Sequence, residues 1–213
     1  MQAVDIPNTP QFQWVAAVAA KNDWRPVLQC VHVEPSALTA TDGYRLRRCR
    51  LRTGLSEHLE STKGEPVNGL TFPSIKRLTP RGPHVTLLLP VPDLVELATE
   101  VIDTWKPLNK GRRDDRPTPM LGLHSERGWL VVPRRIARPS ETAMQTLGTV
   151  RLPIRNPKGR KLRVWLDARY VADALSGGKT QIHADIWGDH EPIRFRQRDR
   201  YELVMPMYVR EPA

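Results

Sequence analysis

The sequence predicts an α+β protein built from a repeated unit of one helix and several antiparallel strands. Apolar residues alternate between a spacing of three to four, typical of helices, and a spacing of two, typical of strands. The same order of elements then returns along the chain, which indicates an internal repeat. A length of 213 residues fits one large or two compact domains, and the 20 prolines predict short elements with abrupt ends.

The first copy begins at a helix-start pattern. Asn8, Thr9 and Pro10 predict a helix that continues to about residue 21. The apolar period then changes, and strands are predicted at residues 27–33, 37–40 and 44–51, with turns at residues 34–36 and 42–43. Residues 53–69 are polar and rich in turn-forming residues, and we interpret residues 70–89 as an abbreviated copy or a connector. A short helical turn is predicted over residues 73–78, and a domain boundary near residue 82.

Two further copies follow the connector. The second comprises a strand at residues 85–89, a helix from Pro92 to Trp105, a basic loop over residues 106–116, and strands at residues 120–124 and 129–132. The third comprises a strand at residues 162–166, a helix capped by Asp167 and ending at Leu175, and strands at residues 181–187, 193–196 and 202–209. The predicted domains are therefore residues 1–82 and 83–213.

The charge balance favours a polyanionic partner. The chain has 33 Lys and Arg against 23 Asp and Glu, a net charge of +10, which is typical of proteins that contact nucleic acid or acidic membrane surfaces. The longest apolar runs are too short to span a bilayer, and the N-terminus lacks a signal-sequence pattern. We expect a soluble, intracellular protein whose cysteines, Cys30 and Cys49, are reduced and buried.

Catalysis is not expected. The six histidines are scattered without the spacing of metal ligands or of a nucleophile with its base. The GGKT sequence at residues 177–180 follows a helix and lacks the first glycine of a phosphate-binding loop, so it is interpreted as a helix end. We expect no enzymatic activity, no metal and no cofactor.

Five sequence segments carry a resemblance to a known family. They are RPVLQCV at residues 25–31, LTATDGYRL at 38–46, WLDARYVADAL at 165–175, EPIRF at 191–195 and YELVMPMYV at 201–209. They resemble, in order, the middle and last domains of the bacterial replicative sliding clamp, the beta subunit of DNA polymerase III. The resemblance implies the DNA clamp fold, with helices on one face of curved sheets. An abbreviated middle domain would occupy residues 1–82 and the last domain residues 83–213.

The family's function is implied in the same way. Clamps form six-domain rings around duplex DNA, so a two-domain chain would close as a homotrimer in the cytoplasm. A DNA polymerase or another partner would bind by a short peptide in an apolar cleft. The cleft residues carried over are Thr41, Gly43, Tyr44, Arg45, Leu46, Leu203, Met205, Pro206 and Met207. Tyr44 departs from the family, which often has histidine there.

DNA contact would require basic residues on or near the helices. The candidates are Lys21, Arg25, Lys76, Arg77, Lys110, Arg112, Arg113 and Arg169. The helix from Pro92 to Trp105, however, carries several acidic residues and no basic one. Two alternatives therefore stay open. One is a clamp-derived protein-interaction module that forms no ring, and the other is a basic DNA-binding regulator that uses loops containing Arg160, Lys161 and Arg163.

Overall fold

The chain divides into two compact units. The computed structural model describes residues 6–76, 78, 82–109, 117–126, 128–137, 145–154, 161–177 and 180–209. One unit comprises residues 1–79 and 196–203, and the other comprises residues 80–195 and 204–213. The first unit therefore takes in a segment from near the end of the sequence. Both units combine helices with antiparallel strands, so the predicted α+β class is confirmed.

The first unit starts with the helix α1 (Pro10–Ala16). The Thr9 hydroxyl accepts a hydrogen bond from the Phe12 N–H at 3.2 Å, and Pro10 occupies the first turn, as the sequence pattern predicts. The helix ends before the predicted residue 21. The next backbone N–H groups bond to carbonyls three residues earlier, and the N–H of Ala20 bonds to the Leu28 carbonyl.

The strands of the first unit form one antiparallel sheet. They are β1 (Cys30–Glu34), β2 (Ala37–Thr41), β3 (Arg45–Arg50), β4 (His58–Ser61), β5 (Pro66–Val67) and β13 (Arg200–Val204), whose residues up to Leu203 belong to this unit. Their order is β5-β4-β1-β2-β3-β13. Phe12 and Val15 of α1 pack with Val31, Val33 and Leu38 of the sheet to form the core of the unit.

Three sequence predictions for this unit need correction. Residues 26–29 form a 3-10 turn, so the strand predicted from residue 27 begins at Cys30. Residues 53–69, predicted to be polar and turn-rich with no strand, contain β4 and β5, which pair with β1 and with each other. The predicted helical turn at residues 73–78 is an isolated turn in its described part, where the Leu78 N–H bonds to the Ile75 carbonyl.

The second unit contains the repeated strand-helix-strands order twice. The first copy is β6 (Val85–Pro90), α2 (Val91–Trp105), β7 (Thr118–Glu126), β8 (Trp129–Ala137) and β9 (Gln145–Pro153). The second is β10 (Leu162–Asp167), α3 (Ala168–Leu175), β11 (Gln181–Ile186) and β12 (Ile193–Gln197), whose residues up to Phe195 belong to this unit. One sheet has the order β10-β7-β8-β9, and β11 lies between β12 and β6.

The two copies exchange strands within the second unit. Strand β6 of the first copy pairs with β11 of the second, and β10 of the second pairs with β7 of the first. The buried faces of α2 and α3 pack on these strands in a single apolar core. The sequence pattern did not reveal β9, and it predicted too long a final strand, because residues 205–209 are not in a strand.

Candidate functional site

A tight turn between β2 and β3 carries most of the predicted first wall of the cleft. The Thr41 hydroxyl donates to the Arg45 carbonyl at 2.7 Å and accepts from the Gly43 N–H at 3.0 Å. One carboxylate oxygen of Asp42 accepts from the N–H groups of Tyr44 and Arg45, both at 2.9 Å. The Tyr44 side chain remains 65% exposed. The turn therefore presents an aromatic ring on a well-bonded backbone.

Gly43 is required at this turn for two reasons. Its φ of +91° lies in the left-handed region, which residues with a side chain rarely adopt. A Cβ atom at this position would also lie 3.0 Å from Nη2 of Arg25. The guanidinium of Arg25 therefore packs directly against the turn and would have to shift by a few tenths of an ångström if position 43 carried a Cβ.

Arg25, a predicted DNA contact, is held by Asp23. The guanidinium donates to both carboxylate oxygens at 3.0 and 3.1 Å, and the Arg25 N–H donates to the same carboxylate at 2.8 Å. The side-chain hydrogen bond to Arg25 lowers the pKa of Asp23, and the same bond raises the pKa of Arg25. The positive charge predicted at this site is therefore part of an internal ion pair.

Trp24 is a surface residue that the sequence pattern did not single out. It is 87% exposed, and the Arg25 guanidinium lies 5.4 Å from its ring centroid. An aromatic residue between Asp23 and Arg25, in a segment with turn-forming neighbours, was the available signal. Trp24, Arg25 and Tyr44 together give the first unit a surface with two exposed aromatic rings and a cation near the turn at Gly43.

The turn is anchored by a buried cluster of charges below it. Glu202 on β13 is 1% exposed and accepts from Nε of Arg47 at 2.7 Å, while Nη1 of Arg45 lies 3.6 Å from its other oxygen. Arg47 also donates to the Trp14 carbonyl at 3.1 Å and lies over the Trp14 ring. Since Arg45 bonds to Asp42 as well, the cluster connects the core of the unit to the turn.

Burial divides the predicted cleft residues. Thr41, Leu46 and Leu203 are buried within the first unit, so their side chains contribute to its core. Met205 is exposed, and Met207 is partly buried and donates its N–H to the Trp165 carbonyl at 2.7 Å. Because the chain from residue 205 to 209 is not in a strand, the strict alternation predicted for Leu203, Met205 and Met207 is wrong. The cleft itself stays a prediction.

The basic residues predicted to contact DNA differ in availability. Lys21 and Lys76 are exposed. Arg169 bonds to the carboxylate of Asp167 through Nε at 2.9 Å, and its guanidinium lies 4.8 Å from the Trp105 ring centroid. The remaining candidates, Arg77, Lys110, Arg112 and Arg113, lie outside the described residues.

The solvent-facing side of α2 is acidic. Asp93, Glu96, Glu100 and Asp103 are all exposed and follow one another at helical spacing, as the sequence predicts. Glu100 pairs with Arg134, and Asp103 pairs with Lys106 at 2.8 Å. These pairs neutralise part of the face. Asp93 and Glu96 nevertheless leave it unfavourable for a nucleic-acid backbone.

Titratable groups elsewhere have structural partners. Burial lowers the pKa of His58, but hydrogen bonds to the Ser56 carbonyl and the Glu60 carboxylate outweigh it, so the pKa is raised. Burial raises the pKa of the Cys49 thiol to about 11.

In the ranges described, no three His, Cys, Asp or Glu side chains are grouped to hold a metal ion. None of the helices described there is both long and apolar enough to cross a membrane.

Comparison with solved structures identifies the fold. The chain is similar to the DNA polymerase III subunit beta from Pseudomonas aeruginosa, with 17% identity and a TM-score of 0.69, over 93% of this chain and 64% of that one. It is also similar to the Caulobacter crescentus pol III beta, with 14% identity and a TM-score of 0.73, over 93% and 63%. The third similar structure is the beta subunit from Thermotoga maritima, with 15% identity and a TM-score of 0.71, over 94% of this chain and 63% of that one.

These likenesses confirm the predicted sliding-clamp fold. The chain spans less than two thirds of the length of the clamps that it matches. No protein-family model and no curated protein matches the sequence. The likeness is therefore one of three-dimensional structure, extending over nearly the whole chain at low sequence identity.

Proposed function

We propose that this protein is a processivity factor of the sliding-clamp type, which encircles duplex DNA and tethers a polymerase or another DNA-processing partner. The observation that carries the proposal is the match of 93% of the chain to bacterial clamps. The net charge of +10 is consistent with a polyanion as ligand. Tethering would raise the effective concentration of the partner at the template. The function requires no cofactor and no catalysis by this chain.

A homo-oligomer, most simply a trimer, would complete the ring. Among the strands that the structure describes, β9 lies at the edge of its sheet and pairs only with β8, which supports assembly. A nine-residue edge strand with free backbone groups on its outer side favours strand addition by another chain. Size-exclusion chromatography with light scattering should give three times the chain mass of 24.3 kDa. A stable monomer at micromolar concentration would contradict the ring.

Encirclement has a separate test. A closed ring should be retained on nicked circular DNA at a salt concentration that removes directly bound protein, since salt weakens phosphate contacts but not a topological link. Linearising the same DNA should release the protein. Equal retention on both forms would show that the protein does not encircle DNA. This assay would use whatever loading factor the host supplies.

The partner peptide is proposed to bind cleft residues that the resemblance supplies, and among them Tyr44 is the exposed aromatic side chain. Exposed aromatic and methionine side chains are typical of surfaces that accept varied apolar guests. Tyr44→Ala should weaken binding of the host polymerase by about 30-fold, as expected for an aromatic anchor worth ~2 kcal/mol. Trp129→Ala is the matched control, because Trp129 is also an exposed aromatic residue at a strand end. Equal losses in both variants would argue against a specific site.

The acidic face of α2 favours a second candidate function. A helix with Asp93 and Glu96 exposed is poorly suited to line a hole that holds DNA. The same fold without a ring would be a protein-interaction module that binds clamp partners. Binding of the polymerase by a monomer that is not retained on circular DNA would support this second function.

A further inference from the structure

A group of exposed arginines lies at the end of the first unit's sheet where β3 finishes, at the opposite end of that strand from the turn at Gly43. Arg50 ends β3, and Arg52 follows it in the sequence. The Arg50 N–H donates to the Asp199 carbonyl at 2.7 Å, which places the turn at residues 198–199 beside the end of β3. Arg198 in that turn is exposed as well. We call Arg50, Arg52 and Arg198 the arginine patch.

Strand alternation places the patch on the face of the sheet opposite to α1. Cys49 is buried in the core that α1 forms with the sheet. Its neighbour Arg50 therefore points to the other face, and Arg52 follows with the same period of two. The N–H groups of Leu51 and Thr53 bond to the turn between β1 and β2, so the chain stays extended through Arg52. Arg50 and Arg52 thus project from a fixed backbone.

The patch differs from the other arginines of this unit in its lack of internal partners. Arg47 is paired with Glu202, and Arg48 with Glu34. Within the part of the chain that the structure describes, the guanidinium groups of Arg50, Arg52 and Arg198 have no carboxylate or other hydrogen-bond acceptor. Three arginines on adjoining backbone segments, without an internal acceptor in the ranges described, carry the forked donors that bind phosphate oxygens.

The backbone at Arg198 gives an independent indication. Its φ is +32°, the only positive φ of a non-glycine residue in the ranges described. Residues 198–199 form the two-residue turn between β12 and β13, and a position with positive φ in such a turn favours glycine or asparagine, so an arginine here costs stability relative to glycine. The conformation places a long cationic side chain at the tip of the turn. Backbone strain of this kind is concentrated at binding sites.

We propose that the arginine patch is a phosphate-contacting surface that binds the backbone of DNA without reading its sequence. This proposal rests on the proposed function only because it takes DNA as the ligand, and it does not require a closed ring. The patch adds a contact on the sheet, separate from the helices, where α2 is acidic. An acidic protein is a poorer match, because the patch contains no apolar or aromatic side chain to form the centre of a protein interface.

The test measures binding of a short linear DNA to the full chain at several salt concentrations. The glutamine variant R50Q/R52Q/R198Q is compared with the parent by fluorescence anisotropy, using labelled duplex and single-stranded oligonucleotides of mixed sequence. The slope of log K against log salt should fall by about one for each phosphate that is no longer bound, therefore by about three. Affinity should fall equally for unrelated sequences. The two oligonucleotides show which form of DNA the patch prefers.

Two further variants separate the patch from a general charge effect. The variant K63Q/R151Q removes two positive charges from exposed positions outside the patch and should change the slope by less than half as much for each charge removed. The variant R50K/R52K/R198K keeps the charge and should keep most of the slope. Thermal unfolding of each variant checks that the fold is intact.

Results of two kinds would overturn the proposal. The first kind concerns the salt slope: the glutamine variant keeps the slope of the parent, or the slope of the control variant falls by as much as that of the glutamine variant. The other is a glutamine variant with unchanged DNA binding and an altered oligomeric state, which would make the patch a contact between protein chains. Failure of retention on circular DNA would leave the proposal standing, because the linear oligonucleotides require no ring.

Discussion

The buried charge cluster at Glu202 gives the sharpest prediction for stability. Glu202→Ala would leave the guanidinium of Arg47, 5% exposed, without its carboxylate at 2.7 Å. Arg47 would keep the Trp14 carbonyl, but not a counter-charge. Breaking a buried ion pair by removing one partner costs about 3–5 kcal/mol. Since small domains are stable by only about 5–15 kcal/mol, this loss is a large share of the total.

Urea unfolding followed by circular dichroism measures the loss. Glu57→Ala is the matched control, because the Glu57 carboxylate also has a side-chain partner, Nε2 of His32 at 2.8 Å, yet its side chain is 68% exposed. A surface pair of this kind contributes at most ~1 kcal/mol. The double variant R47M/E202M should recover much of the stability, because no unpaired charge is then buried. A loss below about 1 kcal/mol in Glu202→Ala would refute the assignment of a stabilising buried pair.

Three further predictions concern the first unit. Gly43→Ala should lower the free energy of unfolding by about 1 kcal/mol or more, because position 43 has a positive φ and its Cβ would approach Arg25. Gly54 has a similar φ but open space around it, so Gly54→Ala should lower the free energy of unfolding by less in the same urea assay. The pKa of the Cys49 thiol in the folded state, about 11, exceeds the ordinary value of 9.0, so Cys49 should react slowly with a thiol reagent at about pH 8. For the same reason, the free energy of unfolding should fall as the pH rises above about 9. Rapid labelling of the folded chain would contradict this prediction. His58 contributes stability that is complete below its ordinary pKa of 6.5 and is lost as the pH rises through its raised folded-state pKa. His58→Gln should therefore flatten the dependence of Tm on pH in that window. An unchanged profile would contradict the stabilising role of the hydrogen bonds to Ser56 and Glu60.

The helix and strand starts that could be predicted have strong local signals. Thr9 and Pro10 begin α1, and Asp167 begins α3, because each satisfies a free N–H or fixes φ at a first turn. The apolar face of α2 likewise identifies its length. In these elements, neighbours in the sequence determine the conformation, so the local pattern is sufficient.

The elements that could not be predicted depend on distant partners. Strands β4 and β9 are rich in polar residues, and their pairing with β1 and β8 stabilises them. A hydrophobic period does not reveal such strands, because polar residues interrupt it, and β9 lies in addition at the edge of its sheet as described. The final strand was predicted too long because the apolar spacing continues beyond Val204. Residues 205–209 are nevertheless not in a strand, and the Met207 N–H bonds to the Trp165 carbonyl.

The candidate site shows the same division. The turn chemistry correctly predicted Gly43 in a tight turn, whereas Tyr44, predicted as the first residue of a strand, precedes β3, which begins at Arg45. The exposure of Trp24 and the pairing of Arg25 with Asp23 depend on how side chains meet, which spacing does not specify. The arginine patch joins residues separated by about 150 positions in the sequence, so only the pairing of β3 with the turn before β13 brings it into view.

The late segment in the first unit has a consequence for synthesis on the ribosome. Glu202, which neutralises Arg47, is translated 155 residues after it. The amino-terminal part of the nascent chain must therefore wait, with an uncompensated guanidinium and an unfilled sheet edge, until nearly all of these residues have left the exit tunnel. Early release of a truncated product would leave this part unable to finish folding, which would expose it to chaperones and proteases.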